Sequence, residues 1–554
     1  MRARAIPLAL AGAVLVSCNP LLSGTLPGGM VGSALVQHVP YSGTFRYTVD
    51  PGSTPREVYF VFTNPSLSQD ATTVPTVSGS IRVNGKGLPA PAAQPLPSTV
   101  RSPQTVLDRI SEFNRNPRAY LPARSALPAP SATVSPAGGD SVGSTGSFEI
   151  ANPDGTNSLT PVPHVTCQSH ATVTFADGRK RAISVWVDDT VFGTDVNTTS
   201  VDTLAARFLA TTAESLTDIY HLDTSVVGEP WGPQSSPDLI TWDANATVTI
   251  LLTHLNATYT GPNGVIVGYF WAKDNFNSSA YAGSNQRIMF YIDSHEYAAS
   301  PSLVYSTLAH EFQHMIQFYQ KQVLRGASTG TDTWINEMCS MLMEDLVAYT
   351  LGVEGPRGVT NPTDGSAGGV GGTDSNSRIA EFNAVSNTSL AVTASGSGFG
   401  LPQYAVAYAF GSWLLRNYGG PDLLQRIVQC PQTDSTAVTN AATAYSGTAE
   451  TMQSLLQRWA VSVLLSDTTT APFGYRCNTG DWTTFTHDAQ TFNLGSINFF
   501  NYTPAPLEFS SVSPISAPPY YSSNVYYKAA TALSAPTTFD LNLPAGTVMS
   551  VVLK

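Results

Sequence analysis

Two histidines four residues apart bracket a glutamate in His310-Glu311-Phe312-Gln313-His314. On a helix, residues at that spacing are neighbours on one face, so both imidazoles reach a single metal ion. Glu311 sits one step round, where a carboxylate can take a proton from a water beside that ion. With nine histidines in 554 residues, chance is a poor explanation of the pentad. The surroundings read as helix. Ser300-Pro301 fits a first turn, and Leu303, Val304, Leu308, Phe312, Met315, Ile316 and Tyr319 recur at helical spacing. That stripe is expected to be buried, with the two histidines on an adjoining face.

A hydrolytic zinc site takes three protein ligands and keeps a fourth position open. Three downstream carboxylates compete for the third place: Glu337, twenty-three residues after His314, and Glu344 and Asp345 beyond it. Asp332 or Thr333 can cap the helix that carries them. Seven residues at about 1.5 Å rise set Glu344 about 10 Å beyond Glu337, so one ion takes only one of these two.

Asn336-Glu337-x-x-Ser340 is similar to the pattern of the gluzincins, the zinc peptidases whose third ligand is a glutamate. More of the chain resembles the hyicolysin-type neutral metallopeptidases. The segments that carry the resemblance are His310 to Ile316, Trp334-Ile335-Asn336-Glu337 and Glu344-Asp345-Leu346. Gly268-Tyr269-Phe270-Trp271, Ser284 to Asp293 and Tyr404 to Gly411 fit as well, so residues 200–430 are covered. Met338-Cys339 departs from the family, which has small or apolar residues there; the packing behind Glu337 changes and no ligand is lost. The resemblance implies one catalytic Zn2+ on His310, His314 and Glu337, with Glu311 as general base. Glu344 and Asp345 then stand behind the ligands or in solvent. Tyr404 and Tyr408, one turn apart, compete as oxyanion donors. Tyr408 sits among Ala and Phe as a core residue would, whereas Tyr404 follows the Gly396 to Gly400 loop and Pro402, and the family's motif tyrosine falls on it. By analogy with gluzincins, Gly264 to Ala272 presents an edge to an extended substrate strand.

The first residues bear on location. Arg2 and Arg4 precede an apolar run from Ile6 to Val16, eleven residues long and too short to span a bilayer. Leu15-Val16-Ser17-Cys18 resembles a bacterial lipobox, which implies a signal peptide over 1–17 and a lipidated Cys18. The expected location is outside the cell, either in the envelope by that lipid alone or as a secreted protein. A net charge of −12 and a pI near 5.1 exclude nucleic acid and electrostatic docking on acidic membranes. A protein or peptide substrate remains. Cys167, Cys339, Cys430 and Cys477 allow three pairings, and spacing does not choose among them.

Composition shifts divide the chain further. Residues 18–85 are β-rich, with strands at Gly43 to Val49 and Glu57 to Phe62. Residues 86–146 read as a Pro/Ser/Gly-rich linker with one helix, Gln104 to Leu121. Residues 147–198 are β-rich again, with strands Val165 to Phe175 and Ala182 to Val187 about an Asp177-Gly178 turn. A peptidase domain over 199–470 opens with an amphipathic helix, Val201 to Tyr220. It continues through strands at Thr247 to Leu252, Val265 to Ala272 and Ile288 to Ile292. A Gly/Ser/Thr-rich loop spans 352–377, and helices follow near 403–417, 421–429 and 449–466. Residues 471–554 form a C-terminal β-rich domain ending in a strand at Thr547 to Leu553. Gly139-Asp140-Ser141-Val142-Gly143 imitates a serine nucleophile elbow, yet lacks the strand before it and the helix after it. The expected fold is therefore multidomain α+β, a gluzincin-like peptidase of small sheet plus helices between β-rich ends. The expected function is zinc-dependent endopeptidase; the alternative is a non-catalytic surface lipoprotein or adhesin on that scaffold.

Overall fold

The computed structural model describes residues 29–31, 33–39, 42–67, 81–84, 86–87, 102–121, 140–156, 158–175, 178–211, 217–241, 247–256, 265–362, 377–385, 388–391, 399–503 and 521–554. The expected signal segment, Cys18, Gly139, Asp177 and most of the 352–377 loop lie outside them. Six strands open this set: β1 (Gly29–Val31), β2 (Ala34–Val39), β3 (Gly43–Val49), β4 (Arg56–Asn64), β5 (Arg82–Val83) and β6 (Lys86–Gly87). In β3 the alternation of Phe45, Tyr47 and Val49 with polar residues buries one face. Helix α1 (Ser102–Arg115) follows, shorter than the Gln104 to Leu121 reading. It buries Val106, Ile110 and Phe113, spaced as one helical stripe, so this part of the linker belongs to the core.

A six-stranded sheet forms the centre, in the order β11-β12-β10-β9-β8-β7. Its strands are β7 (Thr145–Ala151), β8 (Leu159–Thr174), β9 (Lys180–Asp188), β10 (Thr247–Thr253), β11 (Gly268–Phe270) and β12 (Ile288–Asp293). β9, β10 and β12 run parallel and are buried along nearly their whole length, as strands covered on both faces must be. β11 pairs antiparallel with β12 and forms one edge. The expected boundary after residue 198 thus falls between two neighbouring strands of one sheet.

Two readings change here. The helix placed over Val201 to Tyr220 is α2 (Thr198–Phe208) and a separate α3 (Ile219–Val227). Leu209 turns extended, and Asp218 starts the new helix by accepting from His221 N while its other oxygen accepts from Ala210 N. The strand read over Val265 to Ala272 keeps only Gly268–Phe270, because the chain turns into a short 3-10 helix at Ala272–Asn275.

Eight helices follow: α4 (Ser294–Ala299), α5 (Pro301–Phe318), α6 (Thr333–Leu351), α7 (Arg378–Val385), α8 (Leu401–Asn417), α9 (Pro421–Val428), α10 (Ser435–Ser446) and α11 (Met452–Leu464). α4, α7 and α10 are additions to the sequence reading. α6 is apolar around most of its circumference and is buried accordingly. Met338 packs into the notch left by Gly411 on α8, where a Cβ would lie 2.5 Å from Met338 Cγ.

The chain closes with a hairpin, β13 (Thr483–His487) and β14 (Gln490–Leu494), then β15 (Ser523–Leu533), β16 (Thr537–Leu543) and β17 (Val548–Leu553). The two β-rich ends, distant in sequence, pair with each other. One sheet runs β1-β2-β17-β4-β15 and the other β3-β16-β5-β6. They share a core in which Phe60 meets Phe539 edge to face at 5.0 Å. Among the described residues no helix is long and apolar enough to cross a membrane.

Candidate metal centre

α5 begins at Pro301 after Ser300 and turns Val304, Leu308, Phe312, Met315 and Ile316 into the core. That burial fixes the roll of the helix and presents His310 and His314 together on the neighbouring face. α6 packs against α5 and brings up Glu337. Its Oε2 lies 3.3 Å from His310 Nε2 and 3.5 Å from His314 Nε2. The three ligand atoms fall within 4.8 Å of one another, the one such group of His, Cys, Asp and Glu among the described residues.

Each imidazole is held from behind by its other nitrogen. His310 Nδ1 bonds Glu344 Oε1 at 2.7 Å, and Ser306 Oγ donates to the second oxygen of Glu344. Ser306 is four residues before His310 and shares its face. His314 Nδ1 lies 3.2 Å from Asn336 Oδ1 and 3.0 Å from Ser340 Oγ, and Ser340 also donates to Gln313. With the protons on Nδ1, both Nε2 lone pairs face Glu337, the orientation that metal-ligating histidines need. Asp345, one residue beyond Glu344, is about 100° further round the helix. It pairs with buried Arg416 at 2.9 Å and touches neither histidine, so the second-rank place expected for it is not occupied.

Whether this group suits a cation is decided by Glu337. Its Oε2 is buried and makes no well-directed hydrogen bond, while two imidazole nitrogens confront it. Such an oxygen is satisfied by a cation shared with those nitrogens, and two nitrogens plus one carboxylate oxygen match zinc. The charges agree. Burial opposes ionisation of Glu337, yet His314 and His310 outweigh it and lower its pKa. Burial likewise opposes charge on His310, but Glu337 and Glu344 raise its pKa well above the imidazole value. A bound cation would meet the same carboxylate charge and displace the extra proton from the imidazole.

Glu311, adjacent to the ligands, is buried, and its Oε2 accepts from Phe270 N at 2.8 Å. Burial raises its pKa, with the histidines pulling the other way. A carboxylate kept basic beside a metal group is what proton abstraction from water requires. Tyr404 is half-buried on the first turn of α8, against Phe399 at 5.0 Å and under the Arg378 guanidinium. Burial, then the charges of Glu337 and Glu311, raise its pKa, so the phenol keeps its proton. Tyr408 is fully buried and feels Asp345 and Arg416 rather than the metal group. His221 pairs with Asp218 and His487 with Asp422, away from this group. All four described cysteines are free thiols. In the elbow-like motif, Asp140 binds Arg287 and Trp186, and Ser141 leads into β7 instead of a helix.

Sequence reasoning overlooked the Phe270 N–H that holds Glu311. It had no signal, because a backbone donor leaves none. Ser306 did leave one, its spacing from His310.

The arrangement brings together a group that could hold a cation, a buried carboxylate beside it and a sheet edge alongside. Residues 165–361 match the model of the peptidase M30 family. The chain is also similar to the neutral metalloprotease ShpI of Staphylococcus hyicus, 25% identical over 209 residues. That match covers 36% of this chain and 42% of the relative, so less than half of either. Both matches support the hyicolysin-type family as what this part of the chain is similar to.

Proposed function

We propose that this protein is an exported zinc endopeptidase of gluzincin type. The observation that carries the reading is the convergence of His310 Nε2, His314 Nε2 and Glu337 Oε2 beside the buried carboxylate of Glu311. These three atoms would hold one Zn2+, which when bound supplies Lewis acidity toward a water and the scissile carbonyl. Glu311 then accepts a proton from the attacking water and passes it to the leaving amine. The Phe270 N–H fixes one oxygen of Glu311 and leaves the other for that transfer. Tyr404 donates its retained proton as a hydrogen bond to the developing oxyanion. Glu344 and Asn336 keep the imidazoles in the ligating tautomer. Export rests on the basic-then-apolar start and on Cys18 as the lipid attachment point. Purified protein should cleave casein, stop after treatment with a chelator, and recover with one equivalent of zinc per chain. Cleavage that persists after complete metal removal would overturn the reading.

A further inference from the structure

The outer edge of β11 is already occupied. Val267 O accepts from Asp293 N and Tyr269 faces Tyr291, so by the antiparallel alternation these residues turn their backbone groups toward β12. Phe270 turns its groups outward, and the Ala272 N–H points to the same side as the chain enters the 3-10 helix. Asn114, near the end of α1, takes both: its Nδ2 donates to Phe270 O at 2.9 Å and its Oδ1 accepts from Ala272 N at 2.7 Å. One carboxamide thus makes the two hydrogen bonds that the N–H and C=O of a single residue in an added extended strand would make there.

The helix end is locked in from the opposite side as well. Asn114 O accepts from Gln322 Nε2 at 2.7 Å, and Arg115 O accepts from Gly330 N at 2.6 Å. A Cβ at Gly330 would lie 2.9 Å from Arg115 Cα, so this approach requires the glycine. The Arg115 guanidinium pairs at 3.0 Å with Asp332, which opens the helix bearing Glu337. Ser111 and Asn114 line one narrow space with Phe270, His314, Thr331 and Asn336. Elsewhere on α1, the charge of Asp108 acts weakly on Tyr404. α1 also precedes residues 165–361, the segment that matches the peptidase family.

We propose that α1 is an in-chain occupant of the substrate-strand position, an autoinhibitory contact that must leave β11 before an extended polypeptide can bind. The inference rests on the peptidase reading for the identity of its competitor. Its test separates the two. Binding is measured in the zinc-loaded full chain carrying Glu311→Gln, by fluorescence anisotropy of fluorescein-labelled casein, with Asn114→Ala or Arg115→Ala added. Melting temperature and zinc content verify folding, and the exposed Arg115 site serves if Asn114→Ala does not fold. Two hydrogen bonds of ordinary strength bias an equilibrium by roughly tenfold or more, so Asn114→Ala should tighten the casein Kd about tenfold. Hydrogen exchange at the Ala272 amide should quicken in parallel. Unchanged or weaker binding in the folded variants overturns the proposal and leaves Asn114 a brace of β11. Cleavage of casein is assayed separately with Glu311 intact. Tighter binding without cleavage keeps α1 as occupant and removes the peptidase reading; cleavage with unaltered binding does the reverse.

Discussion

At the scale of residues, the account depends on which carboxylate holds the ion and which supports it. Glu337 faces both Nε2 atoms, whereas Glu344 faces only the Nδ1 of His310. Glu337→Ala should therefore abolish stoichiometric zinc. Glu344→Ala should keep zinc but bind it roughly ten- to a hundredfold more weakly, as loss of an outer partner does. Metal analysis of the two variants decides, and the reverse order would mean the ligand has been misassigned. Tyr404→Phe should lower turnover by about a hundredfold or more at unchanged zinc content. Full turnover in that variant would place the oxyanion donor elsewhere. Much of this site was legible, because His310, Glu311 and His314 are bound by helical spacing. Glu337 needed a family pattern to be preferred over Glu344, and Asp345 was misjudged because adjacency in sequence hid its 100° turn toward Arg416.

At the scale of elements, periodicity located the long helices and the strands that are buried on both faces. It failed where a polar side chain stops an element. Val201 to Tyr220 reads as one amphipathic run, yet Asp218 caps α3 and ties off the end of α2. α3 also carries Asp223, fully buried with neither carboxylate oxygen hydrogen-bonded. Burial, then the charge of Asp218, raises its pKa well above the carboxylate value. The folded state then holds this proton more tightly than the unfolded chain does. Its contribution to stability is complete below the unfolded pKa and is lost as pH rises toward the folded one. Asp223→Asn removes that loss. The stability gap between variant and wild type should widen with pH by up to about 1.4 kcal/mol per unit within that window. Denaturant unfolding at several pH values measures it, and a gap that does not change with pH would show that Asp223 is already ionised in the fold.

At the scale of the whole molecule, the ends of the chain form one unit that no local pattern could reveal. β17 takes its hydrogen bonds from β2 on one side and β4 on the other, and β16 lies against β3. Strand character was readable from alternation; partnership across nearly five hundred residues was not. Removing residues 1–87 should leave β15, β16 and β17 with unpaired edges and an exposed apolar face. Such a truncation should aggregate or lose cooperative unfolding of that unit. A soluble chain with wild-type unfolding would contradict the pairing. The same scale includes the proposed lipid anchor: mass spectrometry of protein from its native host should find an acylated Cys18 at the mature N-terminus. An unmodified N-terminus elsewhere would leave an ordinary secreted protein.

The central claim is that Glu311 works as a base beside a zinc ion that it does not hold. Glu311→Gln preserves the size of the side chain and an oxygen for the Phe270 N–H, and takes away only the proton acceptor. The account predicts one zinc per chain and unchanged melting for this variant, with casein hydrolysis lowered by about a hundredfold or more. Wild-type hydrolysis in the zinc-loaded variant would contradict it.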